Sequence, residues 1–163
     1  MSAGNQTATE REVWRLLARV PDPEIPVLNI VDLGVVRYVR HAADGRLHVG
    51  ITPTYSGCPA TEAIRSATRT ALDRAGHHEA LLEEVLAPPW TSDWLTAEGR
   101  AKLAAFGIAP PAATAAGHAS LPVHCPRCGS DSTERISEFG STPCKAHYVC
   151  SACREPFDHF KCI

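Results

Sequence analysis

The chain has 163 residues, of which 44% are apolar and 21% charged, with a net charge of −2 and a pI near 6.4. That is length enough for one domain of about 100 residues and a smaller companion, and the acidic balance lacks the basic footprint of a nucleic-acid-binding protein. No stretch approaches the roughly 20 apolar residues that span a bilayer, and residues 1–9 have neither the basic start nor the apolar middle of a secretory signal, so a cytoplasmic protein free of membranes is expected.

In chain order, residues 1–8 read as a disordered tail. Thr9 followed by Glu12 reads as a capping box, and Val13, Leu16, Leu17 and Val20 then fall on one helical face until Pro21 stops it. The segment Asp22-Pro23-Glu24-Ile25-Pro26 holds two fixed φ angles within five residues, which predicts a stiff loop that presents its carboxylates reproducibly. Residues 33–40 are rich in β-branched and aromatic side chains, Asp44-Gly45 signals a hairpin turn, and Leu47, Val49 and Ile51 alternate with His48, Gly50 and Thr52. This is the pattern of an antiparallel hairpin with one buried face.

Pro59 suits the first turn of a helix in which Ala60, Ala63, Ile64, Ala67 and Ala71 recur at helical spacing, ended by Gly76. Residues 81–87 read as a third strand, although Glu83-Glu84 breaks the alternation, and Thr96 to Phe106 reads as a short helix stopped by Gly107. Residues 107–123 are dominated by Pro, Ala and Gly, with His118 the one ionisable side chain, and read as a linker. The expected architecture is an α/β (α+β two-layer) domain over residues 9–106, with a small mixed sheet and two to three helices. The linker then leads to a zinc ribbon over residues 124–163.

The ribbon rests on Cys125-Pro126-Arg127-Cys128 and Cys150-Ser151-Ala152-Cys153, two Cys-x-x-Cys turns whose four sulfurs suit one tetrahedral ion. Zinc is the expected metal, iron in the same geometry its rival, and a disulfide framework the alternative that a reducing compartment disfavours. A segment this small cannot hold itself together on apolar burial alone, although Phe139, Tyr148, Phe157 and Phe160 are candidate core residues. Structural zinc supplies on the order of 10 to 16 kcal/mol in comparable domains and would decide whether this one folds. The five basic and five acidic residues of this region balance before any thiolate is counted, which separates it from nucleic-acid-binding ribbons. Cys144 and Cys162 remain, either as packing residues or as a second metal or redox pair; their spacing favours neither.

Cys58 stands apart in the first domain, expected at the N-cap or first turn of a helix where free N–H groups favour thiolate. Around it in sequence lie Thr52, Thr54, Tyr55 and Ser56. A cysteine phosphatase would place Arg six residues after the nucleophile, but that position is Ile64 and Arg65 comes one residue late. No His is placed by sequence to act as a protease base, and a buried structural thiol is the plain alternative.

The stretch Asp22-Pro23-Glu24-Ile25-Pro26 with Asp32-Leu33-Gly34, followed by Thr54-Tyr55-Ser56-Gly57-Cys58-Pro59, resembles the small domain of SufT-like and cytosolic iron–sulfur assembly adaptors. Joined to Glu138-Phe139-Gly140-Ser141-Thr142, Cys144-Lys145, Cys150 to Cys153, Glu155-Pro156-Phe157 and Phe160-Lys161-Cys162, it resembles an accessory-subunit family of the bacterial phenylacetyl-CoA epoxidases. The resemblance implies an accessory or maturation role in aerobic phenylacetate catabolism, beside a di-iron oxygenase and a reductase carrying flavin and a [2Fe-2S] cluster. It implies a functional patch of Asp22, Glu24 and Cys58, beside which Thr54 is a further candidate, with the oxygenase and reductase subunits as partners; Cys58, aided by Asp22 or Glu24, is then expected to hold iron or an iron–sulfur cluster transiently. A docking subunit that handles no iron is the alternative, and monomer and homodimer are both left open. The oxidation itself is expected on another polypeptide, because the chain lacks the Glu-x-x-His motif that a di-iron four-helix bundle projects inward.

Overall fold

The computed structural model of the chain describes residues 7–55, 57–112 and 122–162. These fold as two compact units, Met1–Trp90 and Thr91–Ile163. Of the expected disordered tail at residues 1–8, residues 1–6 lie outside the described residues, as do Ser56 and most of the expected linker, residues 113–121 with His118, while Thr7 and Ala8 start the first helix. Among the described residues no helix is long and apolar enough to cross a membrane.

In the first unit, helix α1 (Ala8–Leu17) starts two residues earlier than expected. Its capping box is Thr7 with Glu10, not Thr9 with Glu12: the Thr7 hydroxyl accepts from Glu10 N at 3.2 Å while the Glu10 carboxylate accepts from Thr7 N at 2.8 Å. The reason lies in tertiary structure, since the same carboxylate also accepts from the backbone N–H of His41 at 2.9 Å. Glu10 thus ties the start of the helix to the end of strand β1 (Val36–His41) and is buried in doing so. Val13 and Leu17 are fully buried beneath it.

The loop from Pro21 to Val35 organises itself with its own side chains. Asp22 Oδ1 accepts from the N–H groups of Glu24 at 2.9 Å and Ile25 at 2.6 Å, and Asn29 Oδ1 accepts from those of Val31 and Asp32. Such Asx turns satisfy backbone donors that a buried loop would otherwise orphan. They let Ile25, Leu28, Ile30, Leu33 and Val35 enter the core.

Strand β2 (Leu47–Ile51) pairs antiparallel with β1 and parallel with β3 (Leu81–Glu84), in the order β1-β2-β3. Helix α2 (Ala60–Arg74) makes the β2-to-β3 connection and ends before Gly76 at φ +85°, the left-handed region open to glycine. Leu47, Val49 and Ile51 are buried as the alternation requires. The opposite face explains one of the two misplaced charges of the third strand: Glu83 receives the Tyr38 hydroxyl and lies 3.0 Å from His48 Nδ1. The Tyr38 ring covers Gly50, where a Cβ would sit 2.5 Å from it. β3 ends at Glu84, three residues short of the expected end.

In the second unit, the Thr96 hydroxyl caps helix α3 (Ala97–Phe106) by accepting from Gly99 N, and Gly107 at φ +93° ends it, as its sequence predicts. The chain then departs from the expected linker. Ile108–Ala109 form strand β4, which pairs parallel with β7 (Pro156–Phe160) in a sheet of order β4-β7-β6-β5, with β5 spanning Thr133–Ser137 and β6 spanning Lys145–Cys150. Arg100 fastens α3 to this region, donating to the carbonyls of Ser92 and Pro111. The unit boundary accordingly falls after Trp90, and α3 belongs with the ribbon. Composition concealed this because Pro and Ala surround two residues that a neighbouring strand captures.

Candidate metal centre and the Cys58 region

Two backbone knuckles build the metal centre, and they repeat each other atom by atom. Gly129 N donates to Cys125 O at 2.8 Å, and Arg154 N donates to Cys150 O at 2.8 Å. Cys125 N donates to Ser130 O and Cys150 N to Glu155 O, each at 3.0 Å. The residue four positions after the first cysteine of each pair is left-handed, Gly129 at φ +75° and Arg154 at φ +63°. Arg154 is the one non-glycine among the described residues with positive φ. It was legible only by aligning one Cys-x-x-Cys with the other.

The knuckles bring together the four cysteines that the sequence singles out. All four sulfurs lie within 4.8 Å of one another, with Cys125 Sγ to Cys153 Sγ at 3.7 Å and Cys128 Sγ to Cys150 Sγ at 3.6 Å. A tetrahedron of thiolates at about 2.3 Å from a central ion has edges of about 3.8 Å, so the donor set fits a single four-coordinate metal. All seven cysteines are free thiols. Beneath the site, Ala109, Cys125, Cys150 and Phe157 form a buried cluster, with Val123, Tyr148 and Cys153 packed against it. Sequence reasoning missed Ala109, which places strand β4 at the floor of the metal site.

Without metal Cys150 and Cys153 differ in acidity. Donation from the N–H of Cys153, joined by that of Ala152, lowers Cys150 to about 7 against the opposing effect of burial. The N–H of Glu155 pulls Cys153 down, but burial and the neighbouring Cys128, Cys150 and Cys125 push it up to about 12. Coordination deprotonates all four, so metal uptake near neutral pH releases protons.

Cys144 and Cys162 are not brought into a cluster of three or more potential ligands among the described residues. Cys144 is buried with its sulfur 3.1 Å from Thr142 Oγ1, while Cys162 is exposed with its sulfur 3.7 Å from the Ala112 carbonyl. The β6–β7 register pairs Lys145 with Phe160, which sets Cys144 opposite Lys161 and Cys162 one step further on. Phe139 is no core residue: it is 63% exposed, with Lys161 Nζ 4.5 Å from its ring centre.

In the first unit Cys58 precedes the N-cap of α2, which is Pro59, and so stands one residue outside the helix. Its N–H donates to Tyr55 O and its carbonyl accepts from Thr61 N. The residue is buried, with 9% of its surface exposed. Thr52, fully enclosed, donates its N–H to Val35 O, which joins the start of this loop to the end of the Pro21–Val35 loop. Asp22 is buried at 5% exposure with one carboxylate oxygen held by two backbone N–H groups, while Glu24 and Thr54 are half-buried.

Comparison with known proteins places this geometry. Over residues 10–80 the chain matches the family described as iron-sulfur cluster assembly protein, and over residues 109–161 the PaaD zinc beta ribbon domain. A protein of Escherichia coli (strain K12), provisionally described as one of the subunits of 1,2-phenylacetyl-CoA epoxidase, is 54% identical over 93% of this chain and 92% of its own. The chain belongs to the PaaD family of phenylacetyl-CoA epoxidase subunits. An Fe-S protein maturation auxiliary factor of Porphyromonas gingivalis (strain ATCC BAA-308 / W83) is 34% identical over 58% of this chain and 90% of its own. The crystal structure of a domain of unknown function, DUF59, from Bacillus anthracis superposes with a TM-score of 0.55 at 28% identity, over 63% of this chain and 97% of that one. The expected fold class is thus the one found: a small α/β domain with a mixed sheet, followed by a zinc ribbon.

Proposed function

We propose that this protein is a cytoplasmic accessory factor of a phenylacetyl-CoA ring 1,2-epoxidase system in aerobic phenylacetate catabolism. In this reading it assists assembly of the di-iron or [2Fe-2S] centre of its oxygenase or reductase partners. The observation that carries the reading is the union, in one chain, of an iron–sulfur assembly domain and a four-cysteine ribbon, matched nearly end to end by the Escherichia coli relative. The ion held by Cys125, Cys128, Cys150 and Cys153 is zinc, which the all-thiolate donor set and tetrahedral spacing suit. It shapes the ribbon that meets the client, and Cys58, with Asp22, Glu24 and Thr54 on the adjoining loops, handles the cargo.

An iron or cluster cargo needs a sulfur it can reach, and Cys58 is only 9% exposed. Loading therefore requires Cys58 to become more exposed than it is in this structure. That same burial favours a second reading, a docking subunit that stays with the complex and handles no iron. A Cys58→Ala strain separates the two. The carrier reading expects oxygenase and reductase isolated from it to be short of iron while the variant keeps its zinc and its fold. Full metallation of both enzymes would leave the docking role standing and the carrier role refuted.

A further inference from the structure

The four sulfurs of the metal centre are unequally shielded. Cys125 is 2% exposed and Cys150 fully buried, whereas Cys153 is half-buried and Cys128 exposed. Arg127 and Gly129, its neighbours on the knuckle, are exposed with it. Cys150 Sγ, the buried sulfur of the other knuckle, lies 3.6 Å from Cys128 Sγ.

We propose that Cys128 is a peroxide-reactive modification site through which oxidation opens the metal centre, with Cys150 as its disulfide partner. This rests on the reading that zinc fills the site. In the loaded protein each ligand sulfur is a thiolate, the nucleophilic form, and Cys128 is the one of the four that an oxidant in solution reaches first. The Cys128 thiolate attacks one oxygen of hydrogen peroxide; the O–O bond breaks, a sulfenic acid forms and hydroxide departs. The Cys150 thiolate attacks that sulfur; the S–O bond breaks, the S–S bond forms and a second hydroxide departs. Two thiolates have lost two electrons and the peroxide has gained them. A sulfur–sulfur distance of 3.6 Å must shrink to about 2.05 Å in the disulfide, a movement of side chains within one cluster. Two of the four ligands are then gone, and a closed structural site becomes a two-sulfur site that lets its ion go.

The test uses the full zinc-loaded chain carrying Cys162→Ser, which removes the exposed thiol outside the cluster. Zinc is first counted by elemental analysis; hydrogen peroxide is then added, zinc release is followed with a chromogenic chelator, and thiols are trapped at partial release for peptide mapping. The expected result is a Cys128–Cys150 linked peptide that grows in step with released zinc, with Cys125 and Cys153 still reduced. Release of zinc while Cys128 is unmodified, or first oxidation elsewhere in the cluster, overturns the inference. In the same background Cys128→His keeps a Cys3His ligand set and should slow release at least tenfold, and an unchanged rate overturns it. If the histidine variant holds no zinc, the peptide map of its parent decides. Absence of zinc before peroxide refutes the zinc reading and the inference together, whereas zinc present with Cys128 untouched refutes the inference alone.

Discussion

Replacing Ile108 with alanine tests whether residues after α3 are a linker or part of the ribbon. Ile108 is 6% exposed and pairs with Asp158 of β7. A buried Ile→Ala change costs about 2–5 kcal/mol, the lower half of that range applying where the neighbourhood can collapse, as it can around a two-residue strand at a sheet edge. A loss of about 2–3 kcal/mol follows, and in a domain of this size that lowers Tm by roughly 8–24 °C. Thermal melting of the zinc-loaded protein, followed by near-ultraviolet circular dichroism, is the assay. Ile136→Ala serves as the control, because Ile136 is 58% exposed and its truncation should stay within about 0.5 kcal/mol. If the two variants melt together, residues 108–109 contribute no more than a tether, and the account of β4 as the floor of the metal site is refuted.

Asp22→Ala should cost about 2–4 kcal/mol in urea unfolding of the first unit, since it removes a buried acceptor of two backbone N–H groups. Asp22→Asn, which keeps the accepting oxygen, should cost under about 1 kcal/mol; equal losses would show that the turn is not what Asp22 holds. Gly129→Ala and Arg154→Gly should move stability in opposite directions by up to about 1–2 kcal/mol, since both positions are left-handed, and denaturant midpoints of the same sign would contradict the knuckle symmetry. His159, against the Tyr148 ring, has its pKa lowered to about 4 by burial, so it contributes stability that is whole above its unfolded value near 6.5 and is lost as pH falls toward 4. At pH 5 that loss is about 2 kcal/mol relative to pH 7.5, and His159→Phe should show a stability difference between those pH values smaller by that amount.

The parts of the fold legible in the sequence are those governed by local rules. Alternation placed Leu47, Val49 and Ile51 on the buried face of β2, and the spacing of two Cys-x-x-Cys turns assembled a metal site from residues more than twenty positions apart. Four of the misreadings involve a partner distant in sequence. Thr7 and Glu10 became the cap because His41 claims the same carboxylate, and Ile108–Ala109 became a strand because β7 offered an open edge. Glu83 disturbs a strand pattern until Tyr38 and His48 stand opposite it. Phe139, apolar and adjacent to a strand, joined no core because a hairpin turn carries it outward under Lys161.

The two units handle sulfur in opposite ways, and that contrast bears on any carrier role. The ribbon gathers four thiols at tetrahedral spacing, so an ion held there would be a resident on which the folding of the small sheet depends. Cys58 is a single sulfur, and Asp22, its proposed companion, already commits one oxygen to the turn at Glu24 and Ile25. Iron–sulfur clusters are held by four protein ligands in the common cases. One thiolate with Glu24 or Thr54 cannot complete such a set, so under the carrier reading the remaining ligands come from the client or from a second copy of this chain. Cargo would then be held by a site that exists only while two chains are together, and it would pass to the client as the complex separates. Iron that stays bound to the isolated, monomeric protein through a desalting column would refute this arrangement. Iron retained only in a mixture with the client protein, and lost from it in Cys58→Ala, is the outcome it requires.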